Sequence, residues 1–225
     1  MIPTSMLASW RSRRAETLSQ SDEAYRRLKE LIVTLALPPA SPIDESQLMA
    51  DLGLGRTPIR EALQRLSRDS LVVILPRRGT IVADLNMSDV QKIFELRLEL
   101  EAMAARLAAQ RATPSQIAEM EALFADAEDL LKSGDNKALI RLDHTAHLLL
   151  AQAAHNEFLE DTLDWLYSHV LRVWYLSLDR VKGLSDAVEE HRTIIALVKA
   201  GDGEGAAQLM HRHVATFQEQ ILALR

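Results

Sequence analysis

Cysteine is absent from the 225-residue chain. That removes disulfide frameworks, thiolate nucleophiles and every cysteine-based zinc or iron–sulfur site. No apolar run approaches the roughly 20 residues that a helix needs to cross a bilayer. The first 20 residues hold no secretory apolar stretch, so the sequence predicts a cytoplasmic protein with no membrane association. Aromatic residues are scarce at 4%, yet 48% of the chain is apolar, and at this length a core forms without covalent staples. Positive charge is also in deficit. A net charge of −6 argues, at first sight, against nucleic acid as a partner.

That deficit is uneven. Residues 1–85 sum to +2 and residues 86–225 to −8. Between Arg56 and Arg78 six arginines (Arg56, Arg60, Arg65, Arg68, Arg77, Arg78) stand against Glu61 and Asp69 alone. A solvated helix face would give the same count, so the placement of the arginines has to decide.

Residues 1–20, with Arg11-Ser-Arg-Arg14, show no apolar period and read as a flexible N-terminal arm. Residues 21–85 form a first domain. A helix begins at Ser21-Asp22 with Tyr25, Leu28, Leu31, Ile32 and Leu35 on one stripe, and Pro38-Pro39 stops it. A second helix spans about Glu45–Leu52 and ends at Gly53; a third runs from Arg56 or Thr57 to Asp69, with Pro58 in its first turn. Leu71–Leu75, the turn Pro76–Gly79 and Thr80–Ala83 read as a β-hairpin. Three helices and a hairpin in this order make a winged helix-turn-helix. Residues 86–225 read as an all-α antiparallel bundle of six helices, about 88–111, 114–132, 135–153, 157–180, 186–200 and 203–224. Ser88 and Thr113 stand as N-caps, the latter ahead of Pro114.

On the third helix Ile59, Ala62, Leu63 and Leu66 form the apolar stripe, while Arg56, Thr57 and Arg60 lie opposite, in or just before the first turn. A recognition helix presents those positions to base edges, where arginine can meet guanine O6 and N7. Arg77, Arg78 and Gly79 sit at the hairpin tip, where a wing enters a minor groove and glycine lets the backbone approach closely. The residues Asp44–Leu54, Arg56-Thr-Pro-Ile-Arg-Glu-Ala-Leu63 and Pro76-Arg-Arg-Gly-Thr80 resemble the N-terminal domain of the GntR family of bacterial transcription regulators. Two positions depart from that pattern: Gly55 stands where the family usually has serine, and Ser70 where it usually has glycine. The resemblance implies operator DNA as partner, with Arg56, Thr57, Arg60, Arg78 and Gly79 as contacts.

Three of the seven histidines fall on apolar helical stripes: His147, His191 and His213. Asp143 lies one turn before His147, so both point the same way. Each histidine alone reads as a hydrogen-bonded core residue. Three of them with a matching aspartate, on three inward faces, read as a divalent metal site with nitrogen and oxygen ligands: zinc first, with nickel, cobalt or manganese open. Arg97-x-x-Leu-Glu101, Ala104-Ala105, Asp143-x3-His147, Asn156, His191, Gly201-Asp202 and His213 resemble the FCD effector domain of the FadR subfamily of GntR regulators. That resemblance implies Asp143, His147, His191 and His213 as metal ligands, a small carboxylate effector beside the metal, and Arg97 as the group that meets it. Arg97 reads equally as an i, i+4 partner of Glu101, and Asn156 as a helix cap. Ala146 replaces the usual bulky residue before His147 and reshapes the pocket.

The resulting expectation is a homodimeric, ligand-responsive repressor, not an enzyme, that reads an inverted repeat. The alternatives are a metalloenzyme tethered to a DNA-binding module, which lacks an HExxH motif or an evident general base, and an architectural protein, which has no use for the aligned Asp/His set.

Overall fold

A computed structural model of the chain describes residues 19–178, 180 and 183–223. The arm expected over residues 1–20 therefore lies, up to residue 18, outside the described residues. The chain divides into two compact units: residues up to 30 with 41–82, and residues 31–40 with 83 onward.

In the first unit, α1 (Gln20–Val33) up to residue 30, α2 (Glu45–Leu52) and α3 (Arg56–Arg68) accompany strands β1 (Pro42–Ile43), β2 (Val72–Leu75) and β3 (Gly79–Val82). Asp44 caps α2 by accepting from the Ser46 and Gln47 N–H groups, and Gly53 ends it at φ +66°. The glycine there permits the left-handed turn that a β-carbon would strain. The α3 stripe of Ile59, Ala62, Leu63 and Leu66 is buried as expected, each large aliphatic contributing about 1.5–3 kcal/mol on burial. On α1 the buried positions are Ala24, Leu28, Ile32 and Val33. Leu35 does not extend that stripe, because the helix has ended and Leu35 sits at φ +61°.

The hairpin registers Val72 on Val82 and Leu75 on Gly79. A two-residue strand joins it: β1 pairs antiparallel with β3, giving the order β1-β3-β2. No periodic pattern could announce so short a strand, half of it proline.

The second unit holds α4 (Met87–Arg111), α5 (Pro114–Leu123), α6 (Ala127–Ser133), α7 (Asn136–Ala153), α8 (Glu157–Leu176), α9 (Leu184–Ala200) and α10 (Gly203–Leu222). Phe94, Ile140, Leu150, Trp174, Ile194 and Phe217 belong to its core. Thr113 forms a full capping box with Gln116, with Pro114 in the first turn. Two expectations need correction. The cap of α4 is Asn86, which accepts from the Ser88 N–H, so Ser88 is already helical. And the single helix expected over 114–132 is two helices. Phe124 leaves the helical path, is buried, and stacks 5.8 Å from the His191 ring, while its carbonyl accepts from Arg192 at 3.2 Å. Those tertiary partners outweigh the helix propensity of the segment.

Candidate nucleic-acid interface and metal centre

The first unit offers a surface of cations at a helix start. Gly55 provides no side-chain cap for α3, so its first N–H groups stay available, and Arg56, Thr57 and Arg60 are exposed around them. Free N–H groups, the positive end of the helix dipole and arginine together favour phosphate. Arg60 Nε donates to Glu45 Oε2 at 2.9 Å, an exposed pair. Such pairs are worth at most about 1 kcal/mol, so Arg60 can leave Glu45 for DNA at small cost. Arg65 is used differently: it donates to Asp22 at 2.6 Å and lies 4.2 Å over the Tyr25 ring, while the Tyr25 hydroxyl donates to Asp69. It ties α1 to α3. At the hairpin tip Arg77, Arg78 and Gly79 are exposed, with Arg77 at φ +61° and Gly79 at φ +93°.

The second unit brings the four metal-ligand candidates together. Asp143 and His147 from α7, His191 from α9 and His213 from α10 are all buried and offer ligand atoms within 4.8 Å of one another. His147 Nε2 lies 3.2 Å from His213 Nε2, and Asp143 Oδ1 lies 3.4 Å from His213 Nε2 and 3.7 Å from His147 Nε2. His191 Nδ1 lies 3.7 Å from the same oxygen. Donor atoms around one divalent ion stand about 3–4 Å apart, given metal–ligand bonds near 2.1 Å. Asp143 Oδ1 and His191 Nε2 are buried with no hydrogen-bond partner. Buried polar atoms are rarely left so, and a cation would satisfy both. The residues present fit a divalent metal.

An outer ring orients them. His147 Nδ1 is in contact with Glu101 Oε2, His213 Nδ1 lies 2.7 Å from Glu190 Oε2, and His191 Nδ1 lies 2.9 Å from the Ala187 carbonyl. The Tyr167 hydroxyl donates to Asp143 Oδ2 at 3.1 Å. One nitrogen of each ring is thus fixed by an acceptor, the arrangement that orients metal-binding imidazoles. Burial disfavours the charged imidazole of His191, and His213 adds to this, lowering its pKa to about 3. Burial also opposes charge on His213, but Asp143 and Glu190 outweigh it and raise the pKa to about 9. Burial disfavours ionised Asp143 and Glu101 too. The neighbouring imidazoles hold Asp143 well below the usual carboxylate range, and Arg97 with His147 takes Glu101 to about 2.

A cavity adjoins His147. Glu101, His144, Glu160, Asp164 and Tyr167 contribute to its wall. Arg97 does not. Its Nε donates to Glu101 Oε1 at 2.6 Å, its guanidinium lies 4.2 Å from the Tyr167 ring centre, and the residue is only 2% exposed. Asn156 caps α8, accepting from the Leu159 N–H. The sequence reasoning missed Glu45, Glu190, Tyr167 and the place of His144. Tyr167 did carry a signal, since a tyrosine on the buried stripe of Leu163, Leu166 and Val170 needs a partner for its hydroxyl.

Residues 20–82 match the model for bacterial regulatory proteins of the gntR family, and residues 92–216 match the FCD domain. The chain belongs to the GntR family. Regulation of transcription and DNA binding come with that membership. This GntR-family chain is 30% identical to the HTH-type transcriptional regulator YdhC of Bacillus subtilis (strain 168) over 192 residues, covering 84% of the chain and 85% of that relative. It is 28% identical to the HTH-type transcriptional repressor RspR of Escherichia coli (strain K12) over 205 residues, covering 91% and 90%. The structure of E. coli McbR/YncC shares the fold, with a TM-score of 0.83 at 22% identity, covering 92% of this chain and 99% of that one. Among the described residues no helix is long and apolar enough to cross a membrane.

Proposed function

We propose that the protein is a cytoplasmic, homodimeric transcriptional repressor that binds an inverted-repeat operator and releases it when a small organic acid binds beside a metal ion in the helical unit. The observation that carries this reading is the buried quartet Asp143, His147, His191 and His213 in the chain that also exposes Arg56, Thr57 and Arg60 on α3. The repressor sense is supported by the relatives RspR and the "Probable D-xylose utilization operon transcriptional repressor" of Paenarthrobacter nicotinovorans, the latter 30% identical over 181 residues. Arg56, Thr57 and Arg60 would meet bases and phosphates in the major groove, and Arg78 and Gly79 the minor groove. A two-fold protein matches a palindromic site.

The quartet would hold zinc, with nickel or manganese as further candidates, and a bound ion supplies Lewis acidity toward an oxygen donor. Glu101, Glu190 and the Ala187 carbonyl fix the imidazoles, and Tyr167 fixes Asp143. Arg97, proposed from the family as the effector's partner, acts through Glu101 as the chain stands, because its guanidinium is committed there. To switch, the acid has to bind the free and DNA-bound arrangements with different affinity. No observation favours a tethered metalloenzyme.

The test is operator binding at fixed salt with metal-loaded protein and a panel of small acids. Ligand-dependent release supports the reading; indifference to every acid and to metal removal sinks it. Arg60→Ala should abolish operator selectivity while leaving the thermal transition in place, and retained selectivity would refute the role of Arg60. His191→Ala with His213→Ala should lose the metal by elemental analysis; unchanged stoichiometry would refute the quartet.

A further inference from the structure

Arg60 is held from another helix, and in one particular way. Asp44 accepts from the Ser46 and Gln47 N–H groups at 2.8 and 3.1 Å, which fixes the first turn of α2 and with it Glu45, the first residue of that helix. On α3, Ile59 and Leu63 are buried on either side of Arg60 in the chain, so the backbone that carries it is fixed too. Between these two anchored points Arg60 Nε donates to Glu45 Oε2 at 2.9 Å, the Arg60 side chain being 59% exposed and that of Glu45 31%. The guanidinium is a rigid plane, and bonding through Nε leaves the Nη1 and Nη2 groups on its outer edge. Those two groups can meet guanine O6 and N7 side by side. A phosphate brought to the same edge carries a full negative charge toward Glu45. A guanine edge carries only partial charges, so the carboxylate disfavours the DNA backbone more than the base. The pair can open at small cost, but a guanine does not require it to.

We infer that Glu45 is a positioning residue for sequence reading: it holds Arg60 by Nε so that the Nη edge bonds one guanine in each half-site, and it turns that arginine away from phosphate. The inference rests on the proposed role of Arg60 as an operator contact. It goes beyond that role by naming the base, and by assigning its selection to an acidic residue on a different helix.

The experiment measures the affinity of the full chain, at fixed salt, for the duplex it enriches from a random-sequence pool and for every single-base-pair variant of that duplex. In the wild type, replacing one G·C pair in each half-site should weaken binding about tenfold or more, and Arg60→Ala should lose that preference. Glu45→Ala should cut the same preference about threefold to fivefold, and no other, while the thermal transition stays in place. Its slope of log affinity against log salt should steepen by about 0.9, because Arg60 becomes free to take a phosphate. In an Arg60→Ala background, Glu45→Ala should leave base preference unchanged. A Glu45→Ala variant with wild-type preference at that pair, or with preference lowered alike at all positions, overturns the inference while Arg60 keeps its role. If Arg60→Ala leaves every base preference intact, the reading of Arg60 falls, and the inference with it.

Discussion

Glu190 follows Glu189 and precedes His191 in the chain, yet its carboxylate serves a histidine on another helix, 2.7 Å from His213 Nδ1. Neighbours on a helix point about 100° apart, so nothing in the spacing marks Glu190 as part of the site. Its removal is the more telling test, because Glu190 is not itself a ligand. Glu190→Gln should weaken metal binding about tenfold to a hundredfold, read by competition with a chelator; an affinity equal to wild type would mean that His213 is oriented without it. Asp143 and Glu190 together set a pH dependence. In the metal-free chain the His213 pKa is raised to about 9, so His213 carries a proton at neutral pH that an entering metal must displace. Affinity should therefore fall as pH is lowered, by about tenfold per unit for each proton displaced, and a flat profile from pH 8 to 6 would contradict this. Ser70 gives a prediction of the opposite kind. It holds φ +61° just after α3, in the left-handed region that favours glycine. Ser70→Gly should raise stability by roughly 0.5–1 kcal/mol, seen as a higher Tm.

At the scale of elements, the interruption between α5 and α6 is the feature that ties the helical unit to its site. Phe124 is buried against His191, so Phe124→Ala should cost about 3–5 kcal/mol in denaturant unfolding and loosen His191 as well. A variant as stable as wild type would show that the break, and not the ring, positions α9. This element also shows where sequence reading stops. The stripe on α3, the cap at Thr113 and the turn at Gly53 were legible because their causes are local: period, side-chain reach and backbone freedom. The four metal-ligand candidates were legible because helix period puts each on an inward face. The break at Phe124, strand β1, and the roles of Glu101 and Glu190 were not, because their partners stand far away in sequence. Glu101 illustrates the point: its bond to Arg97 was visible at i, i+4, while its contact with His147 depends on how α4 packs against α7.

At the scale of the whole molecule the basic and acidic portions have different consequences. On the proposed reading, binding to DNA rests on a few arginines, since the net charge of −6 gives the protein no general attraction for phosphate. With Arg56, Arg60, Arg77 and Arg78 exposed on the first unit, the slope of log affinity against log salt should be no steeper than about −4 per reading head, taking −0.9 per phosphate. A much steeper slope would require contacts from residues outside this set.

The burial of the quartet bears on time as well as affinity. All four candidate ligands are buried, and they come from three helices. An ion held among them would have to break its bonds to α7, α9 and α10 before leaving, so its exchange should follow the opening of the site rather than the concentration of a competing chelator. A release rate that rises in proportion to chelator would contradict this. A metal so enclosed does not follow the momentary supply of ions around the protein. It would follow the supply averaged over the lifetime of the bound ion.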